Sequence, residues 1–221
     1  MKLGSPPEGT ITMRKSIRVT AALKSPFIKV GHMTLDGILA AQLFDELGDV
    51  DKAHATVPVN QTNGLFHASA AIFEPIDKAK QAFIAGLRET HSINPDQIKK
   101  NKHGQLHKKF DSSLTNVMNS YPVYAAPEIT WYAEGDAVEI ERLLSPVQFI
   151  GKRRAAGFGE VSAWLIEDAE LDGLIGYAGE PLRPIPIDMF TGDKSLPIVD
   201  AAWRPAYWNV LNRAACYAPP L

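Results

Sequence analysis

Ile17, Val19, Ala21 and Leu23 alternate with Arg18 and Thr20 at the start of the chain. This two-residue period predicts a half-buried strand over 16–23, ended by Ser25-Pro26. From Thr34, a candidate N-cap, the period changes: Leu35, Leu39, Leu43 and Leu47 recur every fourth residue with Ile38 beside them. That stripe predicts an amphipathic helix over 34–47. Residues 49–63 read as irregular, and Leu65–Phe73 reads as a second strand stopped by Glu74-Pro75. Residues 76–88 read as a short helix or a loop. Glu128–Glu134 is a third strand broken by Gly135, and Asp136 with Glu139 forms a capping box for a helix over Ala137–Leu144. Gln148-Phe-Ile150 leads into a glycine-rich loop, and a last strand covers 160–166. Beyond Leu171 the chain is rich in Gly and Pro and ends with Trp203, Tyr207, Trp208 and Tyr217. No repeat of fixed period is present.

The order strand, helix, strand, insertion, strand, helix, strand predicts an α+β, ferredoxin-like βαββαβ core: an antiparallel sheet with two helices on one face. RNA-binding RRM modules use the same frame. The expected organisation is a flexible leader over 1–14 and a core over 15–168 with a basic, thumb-like insertion over 89–125. A C-terminal extension over 169–221 would pack on the core or on neighbouring subunits.

Composition narrows the function classes. With 221 residues, 45 % hydrophobic and 22 % charged, the chain can bury a real core. Its net charge of −2 excludes coating nucleic acid through bulk charge, so any such contact must come from local patches. One patch is visible: Arg88, Lys99, Lys100, Lys102, Lys108 and Lys109 face only Glu89 and Asp96 between Arg88 and Phe110. Asn94-Pro95 and His103-Gly104 punctuate that stretch, which lacks apolar periodicity. A single cysteine, Cys216, allows no internal disulfide and suits a reducing cytoplasm. The N-terminus has no signal-peptide h-region, and no 18-residue apolar run exists, so a cytoplasmic chain without membrane contact is expected.

The densest chemistry lies at Gly151-Lys-Arg-Arg-Ala-Ala-Gly157-Phe-Gly159-Glu. Glycines permit left-handed and close-approach backbone, exposed amides can form a concavity for phosphate oxygens, and Lys152, Arg153 and Arg154 supply countercharge. The pattern is no P-loop, since no Ser or Thr follows the lysine, and no dinucleotide fingerprint, since it opens a strand and Ser162 takes the third glycine place. A solvated hairpin turn is the plainer alternative. Phe158 either stacks on a base or plugs the core beneath the loop, and the strand that follows favours the core.

Between the last helix and the last strand, Gly-Lys-Arg-Arg-x-x-Gly-Phe-Gly-x-Val resembles the glycine-rich loop of the RAMP superfamily of CRISPR-associated RNA-binding proteins. Leu23-Lys-Ser-Pro26, His32-x-x-Leu35-Asp36-Gly-Ile-Leu39-Ala40 and Leu182-Arg-Pro184-Ile-Pro186 are similar to the type IV subunit that corresponds to the 5′-handle-binding protein of type I effector complexes. The resemblance spans about residues 16 to 190.

It implies a non-catalytic subunit that holds the 5′ handle of the guide RNA at one end of a ribonucleoprotein. The partners implied are a backbone subunit, a large subunit and, through the complex, target DNA. Gly151, Lys152, Arg153, Arg154, Gly157, Phe158 and Gly159 match the loop that lies against RNA backbone. Lys99, Lys100, Lys102, Lys108 and Lys109 match a thumb in position and charge.

The resemblance also raises an alternative. His32, between strand one and helix one, sits where endoribonucleases of the superfamily place a general base, which needs a group titrating near neutrality. The plainer reading is a histidine bonded to nearby backbone. A third reading makes the chain an interaction module whose basic loop binds an acidic protein. Asp36 most simply complements the helix dipole. His103 and His107 are spaced for a metal, but Gly104 and the surrounding lysines oppose one, and no metal or cofactor is expected. His54, His67 and His91 lack a convincing partner. The C-terminal aromatics read as packing or a subunit interface.

Overall fold

The computed structural model describes residues 15–85 and 117–220. These fall into two compact units, 15–77 with 124–220, and 78–85 with 117–123.

In the larger unit the alternation at the N-terminus becomes β1 (Lys15–Leu23), with Ile17, Val19 and Ala21 fully buried. A later strand, β6 (Glu128–Gly135), pairs antiparallel with β1 and places Ile129, Trp131 and Ala133 on the same inner face. Strand β7 (Val161–Asp168) pairs antiparallel with the other edge of β1, giving the sheet order β6-β1-β7. Helices α1 (Leu35–Leu47) and α3 (Ala137–Leu144) add Leu35, Leu39, Leu43, Ile140, Leu143 and Leu144 to the core of that inner face. Truncating one such leucine to alanine costs about 2–5 kcal/mol. Helix α1 stops at Gly48, whose φ of 66° suits glycine and whose amide donates to the Phe44 carbonyl at 2.8 Å. At α3 the Asp136 carboxylate accepts from the amides of Val138 and Glu139, as its capping position requires.

The α+β class and the antiparallel sheet stand as expected, but several segments differ. Residues 49–63 are not wholly irregular: α2 (Val50–Ala55) is capped by Asp49, and β2 (Gln61–Thr62) forms a tight hairpin with β3 (Leu65–Phe66). Leu65–Phe73 is not one strand. It runs antiparallel to β6 through bridges at Ala68–Ala133 and Ile72–Thr130, and it breaks between them. There the Ser69 hydroxyl, rather than a carbonyl, accepts from the Tyr132 amide, while the amides of Ala70 and Ala71 turn to the carbonyls of Leu182 and His32. Residues 76–88 form neither helix nor loop where described: β4 (Asp77–Ala85) pairs with β5 (Val117–Ala125). The smaller unit is this two-stranded ribbon, with Ile84 and Met118 exposed and the rings of Phe83 and Tyr121 6.0 Å apart.

The C-terminal region builds a second sheet, β8 (Ile185–Pro186), β9 (Ile198–Ala202) and β10 (Arg213–Tyr217), in the order β8-β10-β9. Ile185, Phe190 and Tyr217 share a small core with Leu65, which ties the sheet to the β2–β3 hairpin. Among the described residues no helix is long and apolar enough to cross a membrane.

Candidate nucleic-acid interface

The glycine-rich loop is a hairpin strapped onto the segment that follows β1. Ile150 donates to the Gly159 carbonyl and Val161 to Gln148, which closes the hairpin. The amides of Lys152 and Gly159 donate to the carbonyls of Ile28 and Pro26, at 3.0 and 2.9 Å. Ser25 stitches the far side: its hydroxyl donates to the Gly157 carbonyl at 2.7 Å and accepts from the Glu160 amide at 2.9 Å.

The glycines have distinct reasons. A Cβ on Gly151 would lie 2.5 Å from the Ile28 carbonyl oxygen, and one on Gly159 would lie 2.0 Å from that of Ile150. Gly157 faces open space but holds φ at 85°. Arg153, a non-glycine, also sits in the left-handed region at φ 60°.

This packing uses up part of the expected amide concavity. The amides of Lys152, Ala156, Gly157, Gly159 and Glu160 all donate within the protein. The loop also displays charged side chains. Lys152 and Arg154 are exposed, Arg153 and Phe158 are half-buried, and Gly159 is buried. Arg154 has no ion-pair partner among the described residues, and a short 3₁₀ turn, Arg154–Ala156, fixes its backbone. Lys99, Lys100, Lys102, Lys108 and Lys109, with His103 and His107, lie outside the described residues.

Arg154 stands at a cleft of about 600 Å³. The N-terminal part of α1, the Val147–Gly151 stretch and the C-terminal strands β9 and β10 enclose it. His32 lines this cleft. Its Nε2–H donates to the Pro219 carbonyl at 3.2 Å, which leaves Nδ1 as the acceptor. Burial, reinforced by Lys29 and Arg183, pushes its pKa down to about 4. Trp208 borders the same cleft and is 80 % exposed.

Asp36, read from sequence as a dipole partner, is fully buried and paired with Arg183 at 3.3 Å. Arg183 also donates to the carbonyls of Phe66, Ala68 and Trp203 and to the Tyr207 hydroxyl, which itself donates to Asp36. Burial opposes the charge on Arg183, but Asp36 and Tyr207 outweigh it and hold the guanidinium protonated. This cluster clamps the C-terminal region against α1 at the back of the cleft. Sequence reasoning singled out the stretches holding Asp36 and Arg183 without joining them.

His67 also finds partners that the sequence did not announce. Nε2 lies 2.8 Å from the Thr62 hydroxyl, and Nδ1 lies 3.2 Å from Glu134 and 3.5 Å from Asp172. His54 lies on α2, half-buried. Among the described residues no group of three His, Cys, Asp or Glu is placed to hold a metal ion.

No curated protein matches the chain. Among solved structures, a chain of the cryo-EM structure of the Type III-B Cmr-beta bound to cognate target RNA is similar, with a TM-score of 0.39 and 9 % identity. The similarity covers 71 % of this chain and 62 % of that one, so this chain spans less than two thirds of its neighbour's length. The profile of a protein family, CRISPR type IV associated protein Csf3, matches residues 49–219, from the start of α2 through β10. The match covers well over half of the sequence, and the chain therefore belongs to the CRISPR type IV associated Csf3 family.

Proposed function

We propose that this chain is a non-catalytic subunit that grips the 5′ handle of the guide RNA at one end of a type IV effector ribonucleoprotein. The observation that carries the reading is the strapped loop: Lys152 and Arg154 project from a backbone pinned by Ser25, Pro26 and Ile28 at the rim of a large cleft. A platform fixed before binding loses little conformational entropy when RNA docks. Each phosphate neutralised on single-stranded RNA steepens the salt dependence by about 0.7 in slope.

The frame supports the same reading. The antiparallel order β7, β1, β6, with the segment 65–73 bridged to β6, supports reading the sheet as ferredoxin-like. The lysines of the 89–112 stretch serve as a second RNA contact. Exposed Ile198 and Val199 on β9, with Val210 and Leu211, offer apolar surface for seating the backbone and large subunits, and target DNA is met through the assembled complex.

The chemistry at His32 favours holding over cutting. A general base for 2′-hydroxyl deprotonation works best with a pKa near the operating pH. The pKa of His32 is far lower, and one ring nitrogen is occupied by Pro219.

Copurification of RNA with the coexpressed complex tests the proposal. Replacing Lys152, Arg153 and Arg154 together by alanine leaves a folded subunit without guide RNA; undiminished RNA would remove the loop from the mechanism. Repeat RNA incubated in EDTA stays intact; cleavage that vanishes in His32→Ala would replace this reading with an endoribonuclease.

A further inference from the structure

The large cleft adjoins a second one of about 400 Å³, and both share Gln42, Val147, Phe149 and Arg154 as walls. Both volumes fall in the range of small-ligand sites, about 300–1,000 Å³. The shared wall combines three chemistries. Val147 and Phe149 present apolar surface suited to the face of a base. Arg154 brings a guanidinium with no ion-pair partner among the described residues. Gln42, half-buried on α1, brings a carboxamide with no hydrogen-bond partner among them either.

The acids on the walls constrain where an anion can sit. Asp200, in the large cleft, is held by Arg213 at 2.7 Å, so the two largely cancel. Asp45, on the wall of the small cleft, is exposed and repels phosphate from that end. The remaining place for a phosphate is the boundary, at Arg154.

We infer that the two clefts form a dinucleotide-reading track, with a phosphate on Arg154 between two single-stranded nucleosides and Gln42 reading the edge of a base. The inference rests on the RNA-binding reading above and assigns to it one specificity-determining residue. A carboxamide offers a donor and an acceptor side by side, the pairing that reads base edges bidentately. In single strands those edges are open to such contacts.

The test uses the full chain and a set of handle RNAs in which each nucleotide is replaced in turn by the other three, with affinities measured by fluorescence anisotropy. In the wild type, replacement at one step should weaken binding on the order of tenfold or more. In Gln42→Ala that penalty should fall within about twofold, while binding through the lysine and arginine loop persists. Alanine suits this helical position, so folding is retained. Gln42→Glu, which keeps the shape and loses the donor, should change which base is preferred.

Handle binding without base preference, or preference unchanged in both variants, overturns the inference and leaves the RNA-binding reading standing. A wild type that binds no RNA overturns both. Displacement of RNA by a poly-glutamate peptide at equal potency would assign the track to an acidic peptide and overturn the inference.

Discussion

Arg183 meets Asp36 at 3.3 Å with both side chains fully buried, although 147 positions separate them. A buried ion pair contributes little over apolar packing, but breaking one strands a charge in the interior. Asp36→Ala and Arg183→Met should each lower stability by about 3–5 kcal/mol, read from urea unfolding. The double variant should lose less than the sum of the two. By contrast, Glu46→Ala removes an exposed partner of Arg142 and should leave the midpoint unchanged. Strict additivity of the buried pair would contradict the clamp.

The loop glycines separate close approach from backbone strain. Gly157→Ala meets open space and should cost about 1–2 kcal/mol, the penalty of a left-handed residue. Gly159→Ala adds a collision with the Ile150 carbonyl, so the hairpin must open and RNA binding should fall with it. Thermal melts and RNA affinity of the two variants check this. Equal behaviour would mean that the close approach of Gly159 to Ile150 does not set the loop.

Two histidines give stability opposite pH slopes. The close approach of Asp172, with the charges of Asp172 and Glu134, outweighs desolvation and raises the pKa of His67. Its contribution is complete below its unfolded value of about 6.5 and is lost as pH rises through the folded value. His32 is depressed to about 4 by burial, so it weakens the fold progressively as pH falls from about 6.5 toward 4. Melting temperatures from pH 4 to 8 should therefore show His67→Gln removing the loss above pH 6.5. His32→Gln should remove part of the loss on the acid side. Parallel profiles for both variants and the wild type would refute the assignment.

Much of the fold was legible because burial imposes periodicity: Ile17, Val19 and Ala21, Leu35, Leu39 and Leu43 on α1 and the Asp136 cap reported their environment directly, whereas Leu47, read as part of the same stripe, is exposed at the last turn of α1. The missed pieces lack that imprint. Strand β4 reads Asp-Lys-Ala-Lys-Gln-Ala-Phe-Ile-Ala, a ribbon strand largely exposed on both faces, so no alternation records it. The β2–β3 hairpin did carry a signal, Asn63-Gly64 with both residues at positive φ, the dipeptide such turns prefer. For the site, the cations of 151–159 were visible as composition, but Ser25 and Gln42 were not. Their roles depend on where β1 and α1 place them relative to the loop, which local spacing does not encode. Likewise nothing local to Arg183 names Asp36 as its partner.

The central claim is that the loop over 151–159 lies against guide RNA. Photo-crosslinking handle RNA to the coexpressed complex, followed by mass spectrometry of the joined peptides, tests it most directly. Attachment sites within Gly151–Gly159 and along the cleft wall at Gln42 and Trp208 are predicted, and they should fade as salt is raised. Crosslinks confined to other surfaces, with 151–159 recovered unmodified, would contradict the account.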